Sequence, residues 1–561
     1  MPTLVCVPIT VRSIESALGD AREAEMRGAD LVEYRVDEFF GGDDAEGEQI
    51  VGLVADSPLP CIVTCRSSEE GGAYDGDDDA RVSLYERLGT AEHPPAYIDV
   101  ELATYTRSAN IRRKIDLAVE HPKQLRDVHT RLILSMHDFG GRPPDLTRRL
   151  AAAYAEPAAS VVKVAYRARS IRDNLELFEI LRDAQKPTIA LGMGEFGLMS
   201  RVLAPKFGGF LTFASLRAEG VTAPGQPTID ELLNLYRFRS IGRDTKVYGV
   251  IGWPVAHSMS PLVHNAGFEA VGHDGVYLPM PVAADENDAE ASRVSFDATV
   301  GAMLADESIG MLGASITIPF KEIARSARLP GVCGTDFNED VAEIGAANTI
   351  NAEWATAEGH AYVSASLSNT DSVAISGLLA DELERIAGAT IGIIGAGGVA
   401  LAAAYAATTR GGNVMIFNRT LSRAQKLVEH TNRPRVSGDR PGGSFRGEAH
   451  AAALSQLPES RCEVLINCTP VGMSGGPDPD GLSIPIPDMT NIGPDTVFFD
   501  TVYNPIETPM LRAARERGCR TIDGVQMFVR QAAAQFELWT GKPAPVELFD
   551  RLVREALGTR H

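Results

Sequence analysis

Cysteine is scarce in this chain, with seven residues scattered among 561. No Cys-x-x-Cys pair and no Cys/His cluster at zinc spacing occurs. That excludes a disulfide framework and a zinc ribbon or finger as organising devices, and no metal site is expected. An odd, dispersed set reads as reduced thiols and predicts a cytoplasmic protein. Positive charge is outnumbered, 53 Lys and Arg against 75 Asp and Glu, for a net charge of −22. Such a field argues against general affinity for nucleic acid or anionic membrane. If the substrates are anions, local arginines must overcome it. The segment Met1-Pro-Thr-Leu-Val-Cys-Val-Pro-Ile-Thr10 runs straight into a strand-like pattern, without the basic start and cleavage site of a signal peptide. Internal repeats are missing. One uncharged stretch, Ile386 to Thr409, is long enough to cross a bilayer. It is rich in Gly and Ala rather than Leu, Ile and Phe, and holds Gly-Ala-Gly-Gly near its centre. A strand, a tight turn and a helix explain it better than a membrane span.

What remains is an ordinary globular composition, 44% hydrophobic and 23% charged, in a length that predicts two to four domains. The first 240 residues alternate short β-branched runs with amphipathic stretches. Strands are predicted at Leu4–Ile9, Leu31–Val36, Cys61–Cys65, Tyr97–Leu102, Leu132–Met136, Val161–Ala165, Thr188–Leu191 and Phe210–Ser215. Eight βα units in this length predict a closed (β/α)8 barrel, with the active site at the C-terminal strand ends. Glu33, Arg35, Arg66, Glu101 and His137 fall at those ends, and Lys163 slightly deeper. Glu33 and Arg35 are two apart and so share one face of a strand.

Lys163 is the most informative of these. It lies inside the apolar run Ser160-Val-Val-Lys163-Val-Ala-Tyr166. Burial disfavours an ammonium, and a neutral amine attacks ketones to form a Schiff base. The preceding run ends in His137, one strand away, where it could move protons. Glu70 follows the third strand, Arg201 follows the glycine-broken Gly192-Met-Gly194, and Gln226 closes Ala223-Pro-Gly-Gln226. Taken singly, a strand lysine is usually a snorkelling surface residue, and a histidine is usually a satisfied core or surface group. As a set in barrel order they point to catalysis, with guanidinium forks suited to a carboxylate and ring hydroxyls.

This set resembles type I 3-dehydroquinate dehydratase over residues 1 to about 240. The resemblance implies that Lys163 forms an imine with the C3 ketone of 3-dehydroquinate. It implies that His137 removes the α proton and assists loss of water, that Glu70 orients His137, and that Arg201 holds the substrate carboxylate. Glu33, Arg35, Arg66, Thr222 and Gln226 would hold hydroxyls or close the lid. Thr222 stands where the family often has Ser.

Phe238-Arg-Ser-Ile-Gly-Arg-Asp-Thr245 reads as a short linker, and a new strand begins at Lys246. Residues 246–371 read as a small α/β lobe with an acidic insertion near 283–306. Residues 372–524 read as a Rossmann-type lobe in which 389–524 alternate strands and helices in the doubly wound manner. The last helices, within 525–561, are expected to pack back on the small lobe. The turn Gly395-Ala396-Gly397-Gly398-Val399 ends a strand and starts a helix, which lets backbone N–H groups approach a pyrophosphate. The next strand ends Asn418-Arg419-Thr420, with Arg423 following. An NAD site usually places an acid there; a cation instead favours the 2′-phosphate of NADP.

Over residues 246–561 the motifs resemble shikimate dehydrogenase. They are His257-Ser258-Met-Ser260-Pro261, Ser315-Ile-Thr317-Ile-Pro319-Phe-Lys321, Asn348-Thr349, Asn369-Thr370-Asp371, Asn467-Cys-Thr469-Pro470, Asp500-Thr501-Val-Tyr503, and Gly524-Val-Gln-Met527 with Gln531. The resemblance implies NADPH reduction of 3-dehydroshikimate to shikimate, with Lys321 and Asp371 as the acid/base pair. Ser258, Ser260, Thr317, Asn348, Tyr503 and Gln531 would bind carboxylate and hydroxyls. Thr469, Thr501, Gly524 and Met527 would line the cofactor. Ser315 replaces a frequent Asn. The two implied reactions are consecutive, and the order of the halves resembles the fused plant enzymes, here without a transit peptide. Three alternatives stand beside this reading. The second half could prefer quinate and NAD, the barrel could perform class I aldol chemistry through its lysine, or the chain could be a non-catalytic sensor of NADP and shikimate.

Overall fold

The computed structural model describes residues 2–123, 127–218, 225–285, 287–357, 359–433 and 446–558. The chain divides into two compact units, Met1–Thr245 and Lys246–His561.

The first unit contains eight parallel strands: β1 (Leu4–Thr10), β2 (Leu31–Arg35), β3 (Cys61–Thr64), β4 (Tyr97–Glu101), β5 (Arg131–Asp138), β6 (Ala159–Arg167), β7 (Thr188–Met193) and β8 (Leu211–Phe213). Their order is β7-β6-β5-β4-β3-β2-β1-β8. All eight fall where the β-branched runs predict them. Closure differs from the expectation: no ladder joins β7 to β8. The Phe210 N–H donates to the Thr188 carbonyl at 2.8 Å, so the barrel is nearly closed through a single backbone bond at its base. The short β8 explains this, since three residues already paired with β1 leave little strand for a second ladder. The interior is filled by apolar side chains that include Cys6, Leu31, Ile62, Ile133, Val161, Ile189 and Leu211.

The second unit holds two sheets. The first joins β9 (Lys246–Gly252), β10 (Gly275–Pro281), β11 (Met311–Ile316), β12 (Gly334–Phe337), β13 (Thr349–Ala357) and β14 (His360–Ser368), in the order β10-β9-β11-β13-β14-β12. β13 runs antiparallel to both β11 and β14, so this sheet is mixed. Helices Gly524–Thr540 and Val546–Gly558 pack on it through Phe528, Phe536, Trp539 and Phe549, which share a core with Tyr248, Val263, Phe268 and Tyr277.

The second sheet joins β15 (Thr390–Ile394), β16 (Asn413–Asn418), β17 (Ala449–Ala453), β18 (Val464–Asn467), β19 (Val497–Asp500) and β20 (Arg520–Ile522). It is wholly parallel, in the order β17-β16-β15-β18-β19-β20. This is the doubly wound 3-2-1-4-5-6 arrangement, whose order reverses between β15 and β18 and opens a crevice there. The uncharged stretch Ile386–Thr409 is thus β15, a glycine turn and the helix Gly398–Thr408. No described helix is long and apolar enough to cross a membrane.

Candidate active sites

In the barrel, β-strand alternation aims side chains from six strands at one polar cluster. Lys163 sits in mid-strand on β6, in register with Ser135 of β5, and is 5% exposed. Its Nζ donates to Asp99 Oδ2 at 3.0 Å and to Glu33 Oε1 at 3.4 Å, and lies 4.6 Å from the centre of the Phe213 ring. The apolar run around Lys163 suggests desolvation alone; the folded chain adds two carboxylates from β2 and β4. Asp99 Oδ1 accepts from Arg66 Nη2 at 2.8 Å and from Ser135 Oγ at 2.6 Å. Burial alone would raise the Asp99 carboxyl. Arg66, Lys163 and His137 outweigh that and hold it well below the usual carboxylate range. Glu33 accepts from Thr64 Oγ1 at 2.7 Å.

His137 stands nearer the end of β5. Glu70 Oε2 lies 3.0 Å from both the His137 backbone N and the ring Nδ1. Burial, then Arg66 and Lys163, hold the imidazole well below its ordinary value, so the ring is neutral near pH 7. Burial pushes the Glu70 carboxyl up to about 7; Arg66 opposes that rise and Glu101 adds to it. A neutral base therefore faces a carboxyl that titrates near neutrality, an arrangement suited to proton transfer.

Arg201 is 3% exposed and makes no hydrogen bond or ion pair among the described residues; its Nε is buried without a partner. Burial alone pulls its guanidinium down to about 10. A buried cation without a counter-charge is costly unless an anion joins it, so a substrate carboxylate is its fitting partner. Gln226 is buried, and at the preceding Gly225 a Cβ would stand 2.0 Å from the Gly194 carbonyl, so only glycine lets that segment approach the end of β7. Arg35 is committed differently from the expectation. Its Nε and Nη2 grip both Asp37 oxygens at 2.9 and 3.0 Å. Thr222 lies outside the described residues.

In the second unit, Lys321 Nζ donates to Asp371 Oδ2 at 2.6 Å. Lys321 starts a short helix just past β11, and Asp371 lies in the first turn of the helix Thr370–Glu382. Asn348 and Ala347 tie the two segments together: Asn348 Oδ1 accepts from the Thr370 backbone N at 2.7 Å, its Nδ2 donates to Thr370 Oγ1 at 2.9 Å, and the Ala347 N–H donates to Lys321 O at 2.8 Å. Ser258 Oγ accepts from the Ser260 backbone N at 3.2 Å, at the start of the helix Ser260–Ala270. The Thr317 backbone N–H donates to Ile251 O at 2.9 Å, which fixes the β11 exit against β9. On the helix Gly524–Thr540, Gln531 Nε2 donates to Phe528 O at 3.0 Å, and the Tyr503 ring packs 4.9 Å from the Phe528 ring.

The residues expected to hold the nucleotide lie past the ends of β15, β16, β18 and β19 and at the start of the helix Gly524–Thr540. Gly395 has φ of +114°, and a Cβ there would meet the Cys468 carbonyl at 2.9 Å, so the turn Gly395–Val399 requires glycine at that point. A Cβ on Gly398 would stand 3.0 Å from Lys321 Cβ, which puts the helix start against the proposed acid/base pair. Thr469 Oγ1 donates to Asn467 Oδ1 at 2.7 Å and Thr501 Oγ1 to Asn467 O at 2.8 Å, so the exits of β18 and β19 are tied together. Asn418 Nδ2 donates to Thr420 O at 2.9 Å. Arg419 and Arg423 are exposed, the first between β16 and the helix Leu421–Thr431 and the second in that helix's first turn, and no described acid pairs with either. Met527 is buried in the core under this sheet, three residues after Gly524, the first residue of its helix. Glycine turn, reversed strand order and two unpaired guanidiniums fit a dinucleotide with an extra phosphate.

Family models agree with this division. Type I 3-dehydroquinase matches residues 5–243, the shikimate dehydrogenase substrate binding domain 250–350, shikimate/quinate 5-dehydrogenase 378–437, and the shikimate 5′-dehydrogenase C-terminal domain 524–554. The bifunctional 3-dehydroquinate dehydratase/shikimate dehydrogenase of Arabidopsis thaliana is 37% identical over 98% of this chain and 84% of its own. This chain belongs to the bifunctional 3-dehydroquinate dehydratase/shikimate dehydrogenase family. The shikimate dehydrogenase (NADP(+)) of Methanosarcina barkeri is 35% identical over 56% of this chain and 99% of its own. The dehydroquinate dehydratase and shikimate dehydrogenase structure from S. pombe covers 98% of both chains at 23% identity, with a TM-score of 0.38. The bifunctional enzyme thus acts in the shikimate pathway as a dehydroquinate dehydratase and as an NADP-dependent shikimate dehydrogenase.

Several groups of the dehydratase and dehydrogenase sites escape a sequence reading. Asp99 and Ser135 bracket Lys163, and Arg81 reaches Glu101 from a helix. Asp99 carries a usable signal, since Asp99 and Glu101 alternate in Tyr97-Ile-Asp99-Val-Glu101 as Glu33 and Arg35 do on β2. In the dehydrogenase half, Gln535 is fully buried, accepts from Ser315 Oγ at 2.7 Å and donates to Thr349 Oγ1 at 2.9 Å. Ser315 in turn accepts from the Tyr277 hydroxyl at 2.6 Å.

Proposed function

We propose that the two reactions run through Lys163 with His137 in the barrel and through Lys321 with Asp371 in the second unit. Residues 1–240 would perform the dehydration, 246–371 with 525–561 would hold the ring, and 372–524 would hold the nucleotide. The observation that carries the reading is the buried Lys163 amine, bracketed by Asp99 and Glu33, with a neutral His137 nearer the strand end.

In the first step Lys163 Nζ adds to the C3 ketone of 3-dehydroquinate, and the carbonyl oxygen leaves as water, giving a protonated imine. The ammonium proton passes to the carbonyl oxygen, which leaves with it as that water, while Asp99, held well below the usual carboxylate range, stays ionised and balances the iminium charge with Glu33 beside it. His137 removes a proton from the adjacent carbon, and the electron pair flows toward the iminium. The pair then returns to expel the neighbouring hydroxyl, which takes the proton from His137 and leaves as a second water. A water molecule hydrolyses the imine, frees 3-dehydroshikimate and restores the amine. Arg201 anchors the carboxylate, and Gln226, Arg66 and Arg35 with its Asp37 partner frame the ring. Thr222 is assigned to the lid by resemblance.

In the second reaction NADPH, when bound, supplies the hydride. Lys321 donates a proton to the carbonyl oxygen of 3-dehydroshikimate, and Asp371 holds and reorients the amine. Ser258, Ser260, Thr317, Asn348, Tyr503 and Gln531 bind the carboxylate and hydroxyls. Gly395, Ala396, Gly397, Gly398 and Val399 receive the pyrophosphate. Arg419 and Arg423 with Asn418 and Thr420 clasp the 2′-phosphate, while Thr469, Thr501, Gly524 and Met527 close the nicotinamide side. A reducing compartment such as the cytoplasm suits the seven unpaired cysteines.

A coupled assay tests the assignment. Dehydroquinate with NADPH should lower the nicotinamide absorbance in the intact chain and leave it flat in both Lys163→Ala and Lys321→Ala. Only Lys321→Ala should still accumulate 3-dehydroshikimate. Full turnover in either variant would overturn the role given to that lysine.

A further inference from the structure

Arg81 has the largest fully buried side chain in the described molecule, and the dehydration chemistry gives it no task. It projects from the helix Asp78–Gly89, outside the barrel, toward the outer end of β4. Its Nη1 donates to both Glu101 oxygens, at 3.1 and 2.9 Å, and to the Cys65 carbonyl at 3.0 Å. Its Nη2 donates to Asp78 Oδ1 at 2.8 Å and to Thr104 Oγ1 at 2.7 Å.

Those contacts converge on the segment that carries Glu70. Cys65 precedes Arg66, and the Ser67 backbone N–H donates to Glu101 Oε1 at 3.0 Å. Ser67 caps the tight turn Ser68–Glu70, and Glu70 Oε2 holds His137. Glu101 Oε1 also lies 3.3 Å from Arg66 Nη1, while Arg66 Nη2 binds Asp99, the partner of Lys163. One carboxylate is therefore shared by two buried guanidiniums, and each guanidinium leads to one half of the proposed catalytic apparatus.

We infer that Arg81 is a positioning residue of the dehydratase, a buried fork that fixes the Cys65–Glu70 segment and keeps Glu101 from drawing Arg66 away from Asp99. The inference rests on the reading of Glu70, His137 and Lys163 given above. Arginine is required for a geometric reason. One planar group reaches a carboxylate, a carbonyl and a hydroxyl at once, which the single ammonium of lysine cannot do. Without the fork, Arg66 becomes the only remaining cation on Glu101 among these contacts and turns toward it. The charged groups facing Glu70 are Arg66, Glu101, Asp99 and His137, and those facing His137 are Arg66, Lys163, Asp99, Arg35 and Glu70. Loss of the Arg81 charge leaves Glu101 less compensated, and Glu101 already raises the Glu70 carboxyl.

The test uses the full chain as Arg81→Gln, Arg81→Lys and His137→Ala. Dehydration and reduction are assayed separately across pH, together with the thermal midpoint of each protein. The expected result for Arg81→Gln is a kcat for dehydration at least ten-fold lower, KM within about three-fold, and an acid limb moved by about half a unit or more to higher pH. Arg81→Lys should keep the limb near its original pH while still losing kcat, since charge is kept and the fork is not. Reduction of 3-dehydroshikimate should be unchanged in both. An unmoved acid limb in Arg81→Gln, with full kcat in Arg81→Lys, would overturn the inference. If Arg81→Gln does not fold, full kcat in Arg81→Lys alone overturns it. Were His137→Ala to retain dehydration, the reading of the catalytic pair would fail instead, so the two failures are distinct.

Discussion

Lys321 and Asp371 meet at 2.6 Å where the substrate-lobe sheet and the nucleotide sheet of the second unit adjoin, with Gly398 against the lysine Cβ. Fifty residues separate the pair in sequence, and Ala347 and Asn348 span the gap, the first bonded to the Lys321 carbonyl and the second to Thr370. The lysine thus has a fixed direction and a proton acceptor, beside the turn that would receive the pyrophosphate. Lys321→Ala should lower the kcat for 3-dehydroshikimate reduction by about 10²- to 10⁴-fold, the usual span for a lost general acid. KM should change far less, and dehydration by the same chain should be untouched. Steady-state kinetics of both half-reactions check this, and a variant that loses KM rather than kcat would make Lys321 a binding group only.

Lys163 offers a direct chemical readout. Borohydride reduces an imine to a stable secondary amine, so treatment during turnover of dehydroquinate should add one ligand mass to the peptide containing Lys163. Lys163→Ala should show neither the mass nor dehydration. Active enzyme recovered with an unmodified Lys163 peptide would remove the imine from the mechanism.

The barrel was largely legible because its strands are runs of β-branched residues separated by turn signals, and each strand needs only local pattern to be seen. Lys163, His137 and Arg201 stood out for the same reason, being polar residues inside or just after apolar runs. The partners of Lys163 did not, since Asp99 and Glu33 reach it from strands 64 and 130 positions away. Weighing desolvation without those carboxylates gave half of the lysine's environment. The antiparallel β13–β14 hairpin and the edge strand β12 were also hidden in the general description of an α/β lobe, because pairing direction leaves no mark in composition. Arg81 carries no mark in the sequence that sets it apart from its charged neighbours, and only the fold buries it.

The Glu70–His137 pair makes the dehydration pH-dependent in a definite direction. While Glu70 is protonated it donates to Nδ1, and the neutral ring then carries its own proton on Nε2, where it cannot act as a base. Once Glu70 ionises, Nδ1–H donates to it and the Nε2 lone pair is free. With Glu70 pushed up to about 7, kcat/KM should climb as pH rises through that value. The apparent midpoint belongs to the pair rather than to either group. Glu70→Gln should abolish this limb and lower kcat by about 10²-fold or more. A limb that survives in Glu70→Gln would assign it to another group.

Arg419 separates the two nicotinamide cofactors by charge. It is exposed after β16 with no described acid opposite, where an NAD enzyme would present a carboxylate. Arg419→Ala should raise the KM for NADPH by about ten-fold or more, a loss of about 1.4 kcal/mol or more, while that for NADH changes little. Equal losses with both cofactors would place Arg419 away from the 2′-phosphate.

The last prediction concerns stability and rests on His264. Its ring is fully buried, stacks 4.5 Å from the Tyr277 ring and touches the aromatic group around Trp539, and neither ring nitrogen has a hydrogen-bond partner among the described residues. Burial pulls its imidazole down to about 3. The folded chain then stays neutral at His264 between about 3 and the ordinary value near 6.5, while the unfolded chain takes up a proton. Stability from this site is therefore complete above about 6.5 and falls by up to about 1.4 kcal/mol for each pH unit below it. All three tryptophans, Trp253, Trp354 and Trp539, lie in the second unit, so their fluorescence reports unfolding there and not in the barrel. His264→Phe keeps the stacking and removes both the titration and the unsatisfied nitrogens. Its urea midpoint, read by tryptophan emission, should exceed the parent's at pH 5, and the gap should narrow toward pH 8. Parallel midpoints across that range would mean that the ring is protonated or solvated in the folded protein.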